Sequence, residues 1–286
     1  MPQKKVPLTI ILPVKNEAEQ IANTLKSIAW AEEIVVVDSQ STDATAKIAE
    51  AHGAKVVQFH FDGIWPKKKN WTLETYTFRN EWVMIIDADE TLPPEAEEEI
   101  RAIVSDPHHP YDGYWINRRF LFLGEWLQHA YFPNWNLRLF KHKKGRHQKI
   151  TQSDTRSGDN EVHEPFVLDG PTAQLKCLMD HYAFPTIHSF VERHNRYSNW
   201  EARVALDKVS APPSKSGDWR TRMKWWLRHI FTFMPFRPTL RFLYVYLFQK
   251  GFLDGKRGYY FARLHGFYEF MTVAKIYEAK SKPSKP

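Results

Sequence analysis

The sequence holds a single cysteine, Cys177, so no disulfide can form within the chain, and a reducing compartment is the expected setting. It has no stretch approaching the roughly 18 consecutive apolar residues that a spanning helix needs, so no membrane-crossing segment is expected. The opening residues Met1-Pro2-Gln3-Lys4-Lys5 run straight into a strand-like segment. They lack the apolar core of a secretory signal, and none is expected. Paired Cys/His ligands and an aromatic RNA-binding strand are missing too, which argues against a nucleic-acid module. No internal repeat is visible. What remains is an ordinary globular composition, 43% hydrophobic and 26% charged over 286 residues, enough for one large domain and an appendage.

Charge is unevenly spread. The formal net charge is +7, but Asp218 to Pro286 alone carries 14 Lys/Arg against 4 Asp/Glu, a net +10. The other 217 residues therefore sum to −3. A slightly acidic body with a basic, aromatic-rich tail suits an anionic surface as the tail's partner. From Trp219 to Met234, apolar residues recur at helical spacing while Arg220, Lys224 and Arg228 fall every fourth position. That is the pattern of a helix lying in a membrane interface. Leu240–Phe248 and Tyr259–Tyr277 add aromatic surface, and both read as too short or too polar to span a bilayer.

Toward the N-terminus the pattern is regular. Leu8–Leu12, Glu33–Asp38, Ala54–Val57 and Trp82–Asp87 read as buried strands, with helices expected over Asn16–Ala29, Thr42–His52 and Asn70–Arg79. Such alternation calls for an α/β fold with a mostly parallel sheet flanked by helices. Ligands then sit beyond the carboxyl ends of the strands. Three of those ends are polar: Pro13-Val14-Lys15-Asn16-Glu17, Asp38-Ser39 and Asp87-Ala88-Asp89-Glu90. From Tyr111 to about Leu178 the pattern loosens, and short strands with aromatic loops are expected.

Two carboxylates two residues apart after an apolar strand, as in the Asp-x-Asp motif Asp87-Ala88-Asp89, suit a hard divalent cation bridging a diphosphate. A solvated acidic turn is the plainer alternative. Asp38 is placed to receive the N–H of a pyrimidine base, or to cap the next helix together with Asp43. Asn16-Glu17 carries the same double meaning. Lys67-Lys68-Lys69 precedes a helix, where phosphate oxygens are favoured by charge and by free N–H groups.

Together these segments resemble the family-two glycosyltransferases of GT-A fold, on Leu8–Glu17, Ile34–Thr45 and Trp82–Glu90. Pro133–Phe140, Val162-His163-Glu164-Pro165 and Gly251–Gly255 extend the resemblance to bacterial lipopolysaccharide-core β-glucosyltransferases. The resemblance implies a Rossmann-like GT-A catalytic domain over 1–212, its nucleotide half 1–110 and acceptor half 111–212. A helical, membrane-associating extension would occupy 213–286. It implies donor contacts from Pro13, Val14, Asn16, Glu17, Asp38, Lys69, Asp87, Ala88, Asp89 and Arg138. It implies a divalent metal, Mg²⁺ or Mn²⁺, on Asp89, with His181 as a further ligand. Many relatives carry the base in a Glu-Asp pair; here the matching position is His163-Glu164. Glu164 is the candidate base, aided by Arg138 or His163, with Asp159 and Glu161 as rivals.

The function implied is inverting, metal-dependent transfer of a hexose from a nucleotide sugar, by family a UDP-sugar, to a hydroxyl of a lipid-linked or lipopolysaccharide-type acceptor. The enzyme would sit peripherally on the cytoplasmic face of a membrane. Three other readings stay open: a polyprenyl-phosphate sugar synthase, a nucleotidyltransferase, and a non-catalytic membrane-binding scaffold. A nucleotidyltransferase would carry a glycine-rich loop after the first strand, and Pro13–Glu17 has no glycine.

Overall fold

The computed structural model describes residues 4–149, 159, 164–210, 223, 234 and 236–281. These residues divide into two compact units. The first takes in 4–121, 133–149, 159 and 164–183; the second takes in 122–132 and the described residues from 184 onward. The boundary expected at 212/213 lies outside the described residues, as does most of the 219–236 segment.

The first unit opens with β1 (Val6–Val14), α1 (Ile21–Ser27), β2 (Ala31–Asp38), α2 (Thr45–Ala51), β3 (Lys55–Gln58), α3 (Lys68–Thr75) and β4 (Trp82–Ile85). The expected alternation is present; α1 and α2 are a few residues shorter at their ends, and α3 starts at Lys68, two residues before the expected Asn70, so Lys68 and Lys69 lie in its first turn. Then follow β5 (Glu90–Thr91), α4 (Glu95–Val104), β6 (Gly113–Phe122), and, beyond the two-residue β7 (Glu125–Trp126), β8 (Trp135–Lys141). Next come β9 (Gly145–His147), β10 (Phe166–Leu168) and β11 (Thr172–Phe184). The main sheet runs β3-β2-β1-β4-β8-β6-β11-β5, and β9 and β10 form a separate antiparallel pair. Strands β3, β2, β1 and β4 pair in parallel. At β8 the direction reverses, so the sheet is mixed, and its parallel part ends at β4.

Alternation along β1 sends side chains to two cores. Ile10, Leu12 and Val14 join Val36, Met84 and Ile86 on one face, under α1 and α4. Ile11 joins Val35, Val37, Val83 and Ile85 on the other, against Phe59 and Trp71. A strand covered on both faces must be apolar at every position, which is why these runs were readable. The short strands expected after Tyr111 are instead partly long: β6 has 10 residues and β11 has 13. On β11, Leu175, Cys177 and Met179 alternate into the core. Burial pushes the Cys177 thiol well above its ordinary range.

The second unit is built on α5 (Ile187–Ser210), α6 (Arg237–Leu243), a π-turn over Tyr244–Phe248, a 3₁₀ turn over Gly251–Asp254, and α7 (Gly255–Ser281). Its core is aromatic: Phe122 meets Phe261, and Phe190 stacks on His194 with ring centroids 3.8 Å apart. Asp254 turns inward and accepts hydrogen bonds from the backbone N–H groups of Gln128 (3.0 Å), His129 (3.1 Å) and Ala130 (2.7 Å). A carboxylate meeting several N–H dipoles is strongly held. Gly258 permits the turn to close, because a Cβ there would lie 1.8 Å from the Gly251 carbonyl oxygen. These contacts account for Gly251–Gly255 without a catalytic role. Helix α7 is 27 residues long, so length does not prevent it from spanning a bilayer; its polarity does. Among the described residues no helix is long and apolar enough to cross a membrane.

Candidate active site

The acidic turn after β4 is shaped by its own fourth residue. Glu90 is fully buried, and its Oε2 accepts the Asp87 N–H at 2.9 Å while its own N–H reaches the Asp87 carbonyl at 3.0 Å. Glu90 Oε1 accepts hydrogen bonds from Arg118 (2.8 Å) on β6 and Arg138 (2.7 Å) on β8. Arg138 Nη2 also donates to Asp87 Oδ2 at 2.8 Å, and Lys69 Nζ lies 3.2 Å from Asp87 Oδ1. Asp87 is desolvated, yet Lys69 and Arg138 hold its carboxyl well below the usual carboxylate range. Two cations thus already occupy Asp87, which fits an anchoring role better than metal ligation.

Asp89 points elsewhere. Its carbonyl accepts the Tyr182 N–H at 2.8 Å, and Asp180 and His181 of β11 pair with Thr91 and Glu90 of β5. This pairing brings His181 Nε2 to 3.5 Å from Asp89 Oδ1, with the imidazole packed on Phe120 at a centroid distance of 4.7 Å. His181 Nδ1 is buried without a hydrogen-bond partner. Among the described residues no group of three metal-type side chains converges. The chain therefore offers one carboxylate and one imidazole; the carboxylate suits Mn²⁺ or Mg²⁺, while the imidazole fits Mn²⁺, the softer of the two, better than Mg²⁺, which prefers oxygen ligands.

The lysine run is the feature least expected from sequence. All three lysines are buried, and each meets a different carboxylate. Lys67 Nζ is 2.7 Å from Glu164 Oε1, Lys68 Nζ is 3.3 Å from Asp159 Oδ2, and Lys69 faces Asp87. Lys68 also donates to the Val14 carbonyl at 2.7 Å, which joins the end of β1 to α3; its pKa is lowered by desolvation. Asn70 completes the set. Its side-chain amide donates to the His147 carbonyl and accepts the His147 N–H, both at 2.8 Å, holding β9 as a neighbouring strand would. His147 Nδ1 lies 3.0 Å from the Glu164 carbonyl oxygen, which can only accept, so Nδ1 carries the proton. Burial pushes the His147 pKa down to about 4, and Lys69 adds to that shift.

At the nucleoside end, buried Asp38 accepts hydrogen bonds from Ser41 N–H (3.0 Å), Ser41 Oγ (2.5 Å) and Gln58 Nε2 (3.0 Å). Asp43 takes the capping duty, accepting the N–H groups of Thr45 (3.0 Å) and Ala18 (3.1 Å). Asn16, at φ 56°, accepts the Thr42 N–H, and the Glu17 N–H donates to Thr45 Oγ1, so these two residues knit the first two strand-end loops together. Pro13 pairs with Val37 on β2, and the Ala88 carbonyl accepts from Thr24 Oγ1 at 2.6 Å. The structure thus brings Asp87, Asp89, Arg138, Lys69, Glu164 and His181 to one end of the sheet. His163 and Glu161 lie outside the described residues. Sequence reasoning missed Glu90, Arg118, Asn70 and His147; only Glu90, inside the acidic run, left a local signal.

Removal of Arg138 tests the anchoring account. Arg138→Met would leave Asp87 and Glu90 short of a buried cation, and should lower unfolding stability by about 3–5 kcal/mol in urea melts. A loss below about 1 kcal/mol would mean that Arg118 and Lys69 compensate alone.

The family model described as glycosyl transferase family 2 matches residues 9–160, more than half of the chain. The chain belongs to glycosyl transferase family 2. The uncharacterized glycosyltransferase RT0209 of Rickettsia typhi is 28% identical over 285 residues, covering 98% of this chain and 89% of the relative. The lipopolysaccharide core biosynthesis glycosyltransferase LpsC of Rhizobium meliloti is 25% identical over 300 residues, covering 99% and 96%. Among solved structures, the mannosyltransferase PcManGT from Pyrobaculum calidifontis, in complex with GDP-Man and Mn²⁺, aligns with a TM-score of 0.51 at 15% identity, covering 98% and 89%. At that identity the likeness concerns the fold, and this family-2 glycosyltransferase has the expected GT-A arrangement.

Proposed function

We propose that this glycosyltransferase moves a hexose, with inversion, from a UDP-sugar to a hydroxyl of a membrane-associated glycan or glycolipid of lipopolysaccharide-core type. The observation that carries the reading is the lysine run, which gathers the candidate base Glu164 and the candidate donor anchor Asp87 around the start of one helix. Pro13, Val14, Asn16, Glu17 and Asp38 would receive the nucleoside. Lys69, Asp87, Ala88 and Arg138 would line the diphosphate, and Asp89 with His181 would hold Mg²⁺ or Mn²⁺. That ion, when bound, offsets charge on the leaving diphosphate. Lys67, Lys69, Arg118 and Arg138 are each already paired with a carboxylate, so a divalent cation would add the positive charge that a diphosphate needs.

Glu164 then takes the proton of the acceptor hydroxyl. The new C–O bond forms at the anomeric carbon on the face opposite the bond to the diphosphate, which breaks and releases the nucleoside diphosphate. LpsC, a lipopolysaccharide core enzyme by name, supports the acceptor class, and the GDP-Man and Mn²⁺ bound to PcManGT support a nucleotide sugar and a divalent metal. UDP as the nucleotide rests on the family resemblance. The basic C-terminal extension supports a peripheral place on the cytoplasmic face of the membrane.

The test is release of nucleoside diphosphate by the full chain, offered UDP-, GDP- and dTDP-sugars with Mn²⁺ or Mg²⁺ and a membrane extract as acceptor. Release from one UDP-sugar, abolished by EDTA, is expected. Release unaffected by EDTA would remove the metal from the reading; release from another nucleotide alone would correct the donor; silence with every donor would overturn the reading.

A further inference from the structure

Between α6 and α7 the chain reverses through the turns at Tyr244–Phe248 and Gly251–Asp254, with Lys250 at φ 57°. Such reversals in water-soluble folds are usually polar. This one is not. Within ten residues Tyr244 is 48% exposed, Leu247 50%, Phe248 79%, Phe252 47% and Leu253 55%. Phe236, Leu240, Tyr259 and Tyr260 continue the exposed apolar surface along the two helices. An apolar face of this kind normally has a partner.

The charges around it say which. From 236 to 269 there are six cations, Arg237, Arg241, Lys250, Lys256, Arg257 and Arg263, and two acids; Glu269 is held by Arg237, and Arg257 pairs with Glu125 of β7 at 2.7 Å. Asp254 is spent inward on three backbone N–H groups, and its side chain is only 6% exposed. Lys250 and Lys256 stand exposed on either side of Phe252 and Leu253, and the Arg263 guanidinium lies 4.4 Å from the Phe242 ring centroid. The tip itself, Tyr244–Leu253 with Lys256 beside it, thus combines aromatic and branched apolar groups with two exposed lysines, and the adjoining acid, Asp254, points inward. A second copy apposed tip to tip would set these lysines against each other. An anionic bilayer answers both features: acyl chains accept the apolar side chains, and phosphate headgroups accept the lysines. The absence of a spanning helix among the described residues leaves surface insertion as the mode.

We propose that the Tyr244–Leu253 reversal is a membrane-insertion element, in which Leu247, Phe248, Phe252 and Leu253 enter the headgroup–acyl boundary of an anionic bilayer while Lys250 and Lys256 bind lipid phosphates. This deepens the membrane-surface part of the reading above, and it moves the anchor from the basic 219–236 segment to a short hydrophobic tip. Burial of apolar side chains is not screened by ions, so the insertion survives salt that screens the lysines.

The test is sedimentation of the full chain with vesicles of phosphatidylglycerol and phosphatidylethanolamine, or of phosphatidylcholine alone. The wild type should bind the anionic vesicles and bind phosphatidylcholine at least about tenfold more weakly. Phe248→Ser alone, a change at a largely exposed position, should weaken anionic-vesicle binding about tenfold, and Leu247→Ser/Phe248→Ser/Leu253→Ser should abolish it. Lys250→Gln/Lys256→Gln should weaken it several-fold and reduce its salt dependence. Thermal melts and nucleoside diphosphate release in solution should not change in any variant. Undiminished binding of the serine variants, equal binding to phosphatidylcholine, or a wild-type dimer dispersed by Phe248→Ser without vesicle binding would each overturn the proposal. Vesicle binding needs no sugar transfer, so a wild type that binds vesicles but releases no nucleoside diphosphate would sink the catalytic reading and leave this one standing.

Discussion

Glu164→Gln is expected to lower transfer to acceptor by about 10²- to 10⁴-fold, the range for loss of a positioned base, while donor affinity by calorimetry stays within about twofold. The reasoning is steric as much as chemical. Glutamine keeps the size of the side chain and an oxygen for Lys67, which lies 2.7 Å from Glu164 Oε1, so the fold should tolerate the change. What disappears is the capacity to accept a proton. Lys67 provides a second arm of the experiment. In Lys67→Met the buried carboxylate loses its counter-ion, so the residue that positions the base is gone while the base remains. Transfer should fall by about tenfold or more, with partial recovery in Lys67→Arg, whose charge is retained. Recovery would assign the effect to charge and placement, which simple unfolding would not produce. If Glu164→Gln retained full transfer, the base would have to be sought among the rivals. Asp159, 3.3 Å from buried Lys68, would then be the next carboxylate to replace.

Asp89→Asn should separate the two acids of the acidic turn. Asp87 is already bound by Lys69 and Arg138, whereas Asp89, just before the edge strand β5, stands beside His181 of β11. Loss of the Asp89 charge is expected to cut metal-supported release by about 10³-fold, since the metal supplies several kcal/mol of transition-state stabilisation. It should also raise the Mn²⁺ concentration needed for half-maximal rate. Asp87→Asn should act mainly on donor KM and on stability, leaving the Mn²⁺ requirement near the wild-type value. The pair of Mn²⁺ titrations, run at saturating donor, checks the assignment. Equal displacement of both curves would mean that the two carboxylates share the ion.

How much of this was legible beforehand depended on the distance over which each feature is encoded. Strands β1 and β4 and the Ile34–Val37 half of β2 are covered on both faces, so their sequences are apolar at almost every step and needed no partner to be recognised. Strand β11 carried an alternating signal in Leu175, Cys177 and Met179, but its solvent-side positions include Lys176 and Asp180, and an aromatic-rich surrounding obscured it. Strand β6 was masked by Arg118 and Arg119, two charges inside a strand whose acids lie on β5 and β11. The acidic turn was visible as residue types, while the division of labour between Asp87 and Asp89 was not. That division is made by cations on α3, β6 and β8, brought in by folding. Glu164 and Lys67 are 97 positions apart, and no local rule links them. The long C-terminal helix was read as shorter because its glycines and charges break the apolar pattern, although Gly258 and Gly266 sit inside it as close-approach positions.

Three adjacent lysines, caught in turn by Glu164, Asp159 and Asp87, make the start of α3 a keyed fitting. Adjacent side chains leave a helix start in different directions, so gaining or losing one residue between Pro66 and Asn70 would exchange every pairing together and carry the Asn70 clamp off His147. Single substitutions at this run can be graded; length changes cannot. Among descendants of this sequence, drift in the identity of these residues should therefore be far commoner than drift in their spacing, while the polar tips of the surface loops remain free to grow and shrink.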